Sequence, residues 1–250
     1  MDKFRVIELF AGLGACSKAL KNIGIDVEVV DAVEIDKYAI KSFNAIHGTF
    51  FSVQDITKWD KDYKNIDLIF GGFPCQDVSI AGKQAGIIKG KTRSGLMYEM
   101  LRIVEKIKPK YVVGENVKNL LSKRHKDKLD EYISEMSRIG YKTVYSEMNA
   151  KDYGVPQNRP RVFIVSIRND INNSFEFPKK QELKIFLKDI LEDKVDEKYF
   201  LSEKLIHCFT KDGTGNYPRK ERFEGSIDCK VGKCITTLAG NRPTDNFVRQ

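Results

Sequence analysis

The chain has 250 residues, 41% of them hydrophobic and 31% charged, enough for one large domain or for one domain with a smaller appendage. No stretch approaches the ~20 consecutive apolar residues of a membrane span, and the opening Met-Asp-Lys-Phe-Arg-Val-Ile lacks the apolar core of a secretory signal, which predicts a cytoplasmic protein without a membrane partner. The formal net charge of +8 favours a polyanionic partner, with a generally lysine-rich composition as the plain alternative.

Phe4 to Phe10 reads as a strand that runs into Ala11-Gly12-Leu13-Gly14. A helix from about Ala15 to Ile23 follows, closed by Gly24. Val27 to Val33 is a second strand, ending at Glu34-Ile35-Asp36, and Lys37 to Ile46 a second helix. Thr49 to Val53 is expected to be a third strand, ending at Gln54-Asp55-Ile56, and Asp67 to Phe70 a fourth, broken by Gly71 and Gly72. Gly95 to Ile107 has helical apolar spacing and stops at Pro109. Tyr111 to Val113 is a fifth strand, leading into Gly114-Glu115-Asn116-Val117. Asp127 to Ile139 is a helix ended by Gly140, and Tyr141 to Met148 and Arg161 to Ile167 are two more strands. Alternating strands and helices imply βαβ units, a parallel sheet and an α/β fold, with strand ends gathered on one edge. After Arg168 the periodicity weakens, which places a domain boundary near residue 180.

Ligands of open α/β sheets bind outside the strand ends. At those ends lie Phe10, Ala11, Gly12 and Gly14, then Glu34 with Ile35, then Asp55 with Ile56. Two glycines between strand and helix let the backbone approach a ligand, although position 17 is Ser and the G-x-G-x-x-G fingerprint is incomplete. Glu34, about twenty residues on, is placed to bond a ribose hydroxyl. Asp55 is placed either to accept from an adenine amino group or to cap a turn. An adenosine-containing ligand fits all three clusters; periodicity leaves a nicotinamide cofactor and S-adenosylmethionine both open.

Cys75 sits just past the fourth strand, behind Pro74. A thiol there is a candidate nucleophile if something makes it a thiolate, or else a small buried hydrophobe. Glu115 at another strand end is a candidate acid, and Arg159 and Arg161, flanking Pro160, offer fixed donors. Five cysteines, an odd number, with His207-Cys208 the only nearby addition to Cys229 and Cys234, argue against a disulfide framework and against a zinc site.

Four stretches occur in an order that resembles the C5-cytosine-specific DNA methyltransferases: Phe10-Ala11-Gly12-Leu13-Gly14, Gly72-Phe73-Pro74-Cys75-Gln76, Glu115-Asn116-Val117 and Gln157-Asn158-Arg159-Pro160-Arg161. Ser79 to Gln84, Arg93 to Leu96 and Asp152 to Pro156 support them, and the resemblance covers residues 4 to 168 closely. It implies a Rossmann-like S-adenosylmethionine-dependent methyltransferase fold with a mostly parallel sheet. A catalytic and cofactor-binding domain would cover 1–180, and a small, partial target-recognition region 181–250. It implies a donor pocket lined by Phe10, Ala11, Gly12, Gly14, Glu34, Ile35, Asp55, Ile56, Pro74 and Leu96. Double-stranded DNA would be the partner and S-adenosylhomocysteine the product. Cys75 would attack C6 of a flipped-out cytosine, Glu115 would bind the N3 edge, Arg161 would hold O2 and Arg159 would support the site. Gln76, Ser79 and Thr237 would contact DNA.

The sequence departs from the family in lacking an Arg-Lys-Leu-Thr-Pro-Arg-Glu-like helix start and a Gly-Asn-Ser segment that completes the donor pocket. Three accounts stay open: an enzyme split with a second polypeptide, a truncated chain, or a chain acting alone with an open pocket. The expectation is weak donor binding by this chain in isolation. The competing functions are a tRNA cytosine-C5 methyltransferase, hinted at by Cys208-Phe209-Thr210, and a non-catalytic DNA-binding subunit.

Overall fold

The computed structural model describes residues 3–74, 93–172, 174–211, 219–235, 242 and 244–249. Its contacts divide the chain into two compact units, residues 1–147 with 161–177, and residues 148–160 with 178–250.

The first unit is built on a six-stranded sheet of order β2-β1-β3-β4-β7-β5. Its strands are β1 (Phe4–Leu9), β2 (Val27–Val33), β3 (Leu68–Gly71), β4 (Tyr111–Val117), β5 (Tyr141–Asn149) and β7 (Pro160–Arg168). β1 pairs parallel with β2 and β3, β3 pairs parallel with β4, and β4 pairs antiparallel with β7. Val6 to Leu9 are all buried, as expected of a strand covered on both faces. The helices are α1 (Ala15–Asn22), α2 (Lys37–His47), α3 (Met97–Ile107) and α4 (Lys126–Arg138). α3 buries Met97, Met100, Leu101, Val104 and Ile107 along one stripe, at helical spacing. Each such side chain is worth about 1.5–3 kcal/mol of burial. Lys108 takes a left-handed conformation (φ 52°) and Pro109 ends the element.

Two expectations are corrected. Thr49 to Val53 is not a strand. The Asn44 side chain takes the Phe51 N–H and donates to its carbonyl, and the Thr49 N–H bonds the Asn44 carbonyl, so the segment is anchored to the end of α2. Phe50 consequently points to solvent. β4 is longer than expected and runs through Val117, because Glu115, Asn116 and Val117 keep their pairing with Phe163, Val162 and Arg161. Glu115 therefore lies within a strand, not after one.

The second unit contains β6 (Gln157–Asn158), which pairs parallel with β8 (Gly232–Lys233), and the short helices α5 (Glu203–Thr210) and α6 (Arg219–Glu224). The rings of Phe209, Phe223 and Phe247 pack with centroids 5.1–5.8 Å apart and form its aromatic core. The Phe209 ring of the Cys208-Phe209-Thr210 tract is thus spent on packing. Among the described residues no helix is long and apolar enough to cross a membrane, and no group of His, Cys, Asp and Glu could hold a metal ion.

Candidate active site and donor edge

The C-terminal ends of β1, β2, β3 and β4 lie along one edge of the sheet of the first unit, in register through Leu9, Val33, Gly71 and Gly114. At the end of β1 the chain turns sharply. Phe10 (φ 55°), Gly12 (φ 53°) and Gly14 (φ 76°) all adopt left-handed backbone. A bulky residue in that region is a costly outlier of the kind that gathers at functional sites. Gly14 caps α1, and a Cβ there would meet the ring of His47 at 2.2 Å and Phe43 at 2.6 Å, so only glycine fits. From below, the buried Glu8 accepts from the Ser17 N–H in the first turn of α1. Burial pushes the Glu8 carboxyl above the usual carboxylate range, opposed by the Ser17 hydrogen bonds and the charges of His47 and Lys21. His47 places Nε2 3.1 Å from the Leu13 carbonyl. Sequence reasoning missed Glu8 and His47; a carboxylate inside the apolar run Val6-Ile7-Glu8-Leu9 was the available signal.

Glu34 joins this turn to the end of β2. Its Oε2 accepts from the Gly12 N–H at 2.9 Å and its Oε1 from the Asp36 N–H at 2.8 Å. Beside it Ile35 is 68% exposed, an apolar face next to a carboxylate. Ala11 is buried. Asp55 caps a short 3₁₀ turn over Ile56–Lys58, with Oδ1 accepting from the Thr57 N–H and hydroxyl. Those hydrogen bonds, the hydroxyl first, hold its carboxyl below the usual range. Ile56 is buried, and Leu96 is partly buried against the main core. This set fits an adenosine-bearing donor: a carboxylate at a glycine turn, an exposed aliphatic beside it and a second carboxylate across the edge.

At the end of β4 the Glu115 Oε1 accepts from Arg161 Nε at 2.7 Å, and both side chains are largely buried. The pairing of Val117 with Arg161 across the antiparallel ladder brings them together. The other Glu115 oxygen overlies Gly72, where a Cβ would lie 3.4 Å from Oε2. Asn116, buried, donates from Nδ2 to the Phe73 carbonyl at 3.2 Å and accepts from the Val117 N–H at 2.8 Å. Asn116 therefore ties down Phe73, and Glu115 lies over Gly72, in the segment that precedes Pro74 and Cys75 in the sequence. Cys75, Gln76, Ser79 and Thr237 lie outside the described residues. Arg159 belongs to the second unit, where its guanidinium donates to Cys234 Sγ at 3.2 Å and its N–H to Asn149 Oδ1.

A cleft of about 860 Å³ lies at the opposite, N-terminal edge of the sheet, lined by Arg5, Lys64, Asp67, Lys110 and Arg168 among others. Three of its cations are already engaged: Lys110 with Asp67, Arg5 with Glu28, and Arg168 with Asp170. It carries none of the chemistry of the strand-end edge.

The family model for C-5 cytosine-specific DNA methylases matches residues 4–244. The orphan methyltransferase M.SPRI of Bacillus phage SPR is 37% identical over 244 residues, covering 85% of this chain and 55% of the phage protein. The type II methyltransferase M.HhaI of Haemophilus parahaemolyticus is 40% identical over 189 residues, covering 75% of this chain and 56% of its own. The chain thus spans about half the length of such curated relatives. Among solved structures, a Spodoptera frugiperda DNMT2 variant superposes with a TM-score of 0.75 at 22% identity, covering 98% of this chain and 73% of the other. That likeness establishes a shared Rossmann-like fold.

Proposed function

This chain belongs to the family of C-5 cytosine-specific DNA methylases, and from that premise we propose that it methylates C5 of cytosine in double-stranded DNA with S-adenosylmethionine as donor. The observation that carries the reading is the Glu115–Arg161 pair lying over Gly72, three residues ahead of Cys75 in the sequence. The net charge of +8 suits a phosphate backbone.

Phe10, Ala11, Gly12, Gly14, Glu34, Ile35, Asp55, Ile56, Pro74 and Leu96 hold the donor in this reading. When bound, S-adenosylmethionine supplies an electrophilic methyl group. Glu34 takes the ribose hydroxyls, using lone pairs left beside its two amide bonds, and Asp55 faces the purine amino group. A cytosine in a duplex leaves the stack first, at a cost of a few kcal/mol. The Cys75 thiolate then forms a bond to C6, and the ring electrons move to C5. Glu115 bonds the N3 edge and Arg161 donates to the O2 atom, so that the charge gathered on the ring meets a fixed donor. After C5 is methylated its proton leaves, the Cys75–C6 bond breaks, and the thiolate is regenerated. Gln76, Ser79 and Thr237 contact the DNA, and residues 181–250 contribute part of target recognition.

The test is covalent trapping. A duplex carrying 5-fluorocytosine has no C5 proton to lose, so with donor present the protein is expected to form a denaturant-stable adduct. The Cys75→Ser variant is expected to form none. Tritiated methyl transfer at the original rate by Cys75→Ser would overturn the mechanism.

A further inference from the structure

Asp31 lies in the middle of β2, where Val27-Glu28-Val29-Val30-Asp31-Ala32-Val33 otherwise reads as a strand that buries its end, and it is wholly buried. A lone carboxylate there costs several kcal/mol unless it is fully satisfied. It is satisfied by four donors. Oδ1 accepts from the Ala32 N–H at 3.0 Å and from Gln54 Nε2 at 2.7 Å. Oδ2 accepts from Trp59 Nε1 at 2.9 Å and from Lys61 Nζ at 2.8 Å. Three of the four come from one segment, residues 54–61.

That segment carries Asp55 and Ile56 and has no strand of its own. Gln54 gives its N–H to the Glu34 carbonyl at 2.8 Å and its side chain also to the Ala32 carbonyl, while Arg102 donates to the Ile56 carbonyl. Where a ladder would have set the distance between the Glu34 end of β2 and the Asp55 turn, the Asp31 carboxylate and the Gln54 contacts set it instead. A valine would suit the strand better, so the buried charge is retained for what it holds in place.

We propose that Asp31 is a positioning residue of the donor site: by gathering Gln54, Trp59 and Lys61 it holds the Asp55–Ile56 wall at a fixed span from Glu34 and thereby sets recognition of the purine end of the donor. This rests on the donor reading given above. Asp31 touches no donor atom; it acts through Asp55 and Ile56.

Calorimetric titration of the whole chain with S-adenosylhomocysteine and with S-inosylhomocysteine, which replaces the purine amino group by a carbonyl, tests it. The unsubstituted chain is expected to prefer the adenosyl ligand. Asp31→Asn is expected to weaken that ligand about tenfold, the loss of one charge-assisted hydrogen bond in the support, and to bring the two affinities together. Trp59 is the sole tryptophan, so a shift in its emission reports that the Asp31 contact has been released. A loss of general stability lowers both affinities and leaves their ratio intact. Should Asp31→Asn fail to fold, Gln54→Leu and Lys61→Met each remove one donor from the segment side and are expected to narrow the same ratio. Variants that keep the ratio overturn the role of Asp31; an unsubstituted chain that binds neither ligand overturns the donor reading itself.

Discussion

Replacing Gly14 by alanine tests how tightly the turn at the end of β1 is built. Two costs add. The left-handed backbone at φ 76° disfavours a Cβ by roughly 1–2 kcal/mol. The new methyl would also lie 2.2 Å from His47 Nε2 and 2.6 Å from the fully buried Phe43 ring, so the contact must open. Overpacking of this kind costs about 1–3 kcal/mol. The sum is about 2–5 kcal/mol, a fall in Tm of about 4–20 °C for a chain of this size. Gly24 separates the terms. It has φ 85° and nothing within 4 Å of its Cβ position, so Gly24→Ala carries the backbone cost alone, about 2–8 °C. Thermal unfolding of both variants and the parent, followed by circular dichroism in one buffer, gives the comparison. If Gly14→Ala melts no lower than Gly24→Ala, the His47–Phe43 wall yields freely and the turn is not held as described.

Two further outcomes are expected. Asn116→Ala leaves the Phe73 carbonyl and the Val117 N–H without their partner, at about 1–3 kcal/mol in stability; 5-fluorocytosine trapping should slow at temperatures well below the new Tm, and an unchanged trapping rate would refute the tether. Glu8→Gln probes the raised carboxyl. Native Glu8 keeps its proton to a higher pH than the unfolded chain does, so its contribution to stability falls as pH rises from 4.5 through its native value. The Tm difference between variant and parent should therefore grow in the variant's favour as pH rises above 4.5, whereas parallel Tm curves would rule the effect out.

The regular elements were legible because their apolar periods are long and their ends are marked. β2 was bounded at Val27 and Val33 as observed, and Gly24 and Gly140 end their helices with positive φ as expected. Thr49 to Val53 misled because its β-branched and aromatic residues mimic a strand, while the Asn44 side chain claims its backbone instead. The end of β4 was hidden for the opposite reason: Gly114-Glu115-Asn116 reads as a turn, and only pairing with β7 keeps it extended. Of the candidate site, the glycine turn, Glu34, Glu115 and Arg161 are readable as residue types at or near strand ends. Asp31 was not, because its partners lie 23 to 30 residues away and no local pattern announces them. The link from Asn116 to Phe73 spans 43 residues and is equally silent.

β7 carries arginine at its second and its last position. Because it runs against β4, Arg161 stands opposite Val117 beside Glu115, while Arg168 reaches the far rim, bonding the Lys108 carbonyl and Asp170. Had this one strand pointed the same way as its neighbour, the two cations would have traded places and the acid would face the other one. Chain polarity, a property carried by no single side chain, thus selects which guanidinium meets Glu115 and which staples a loop.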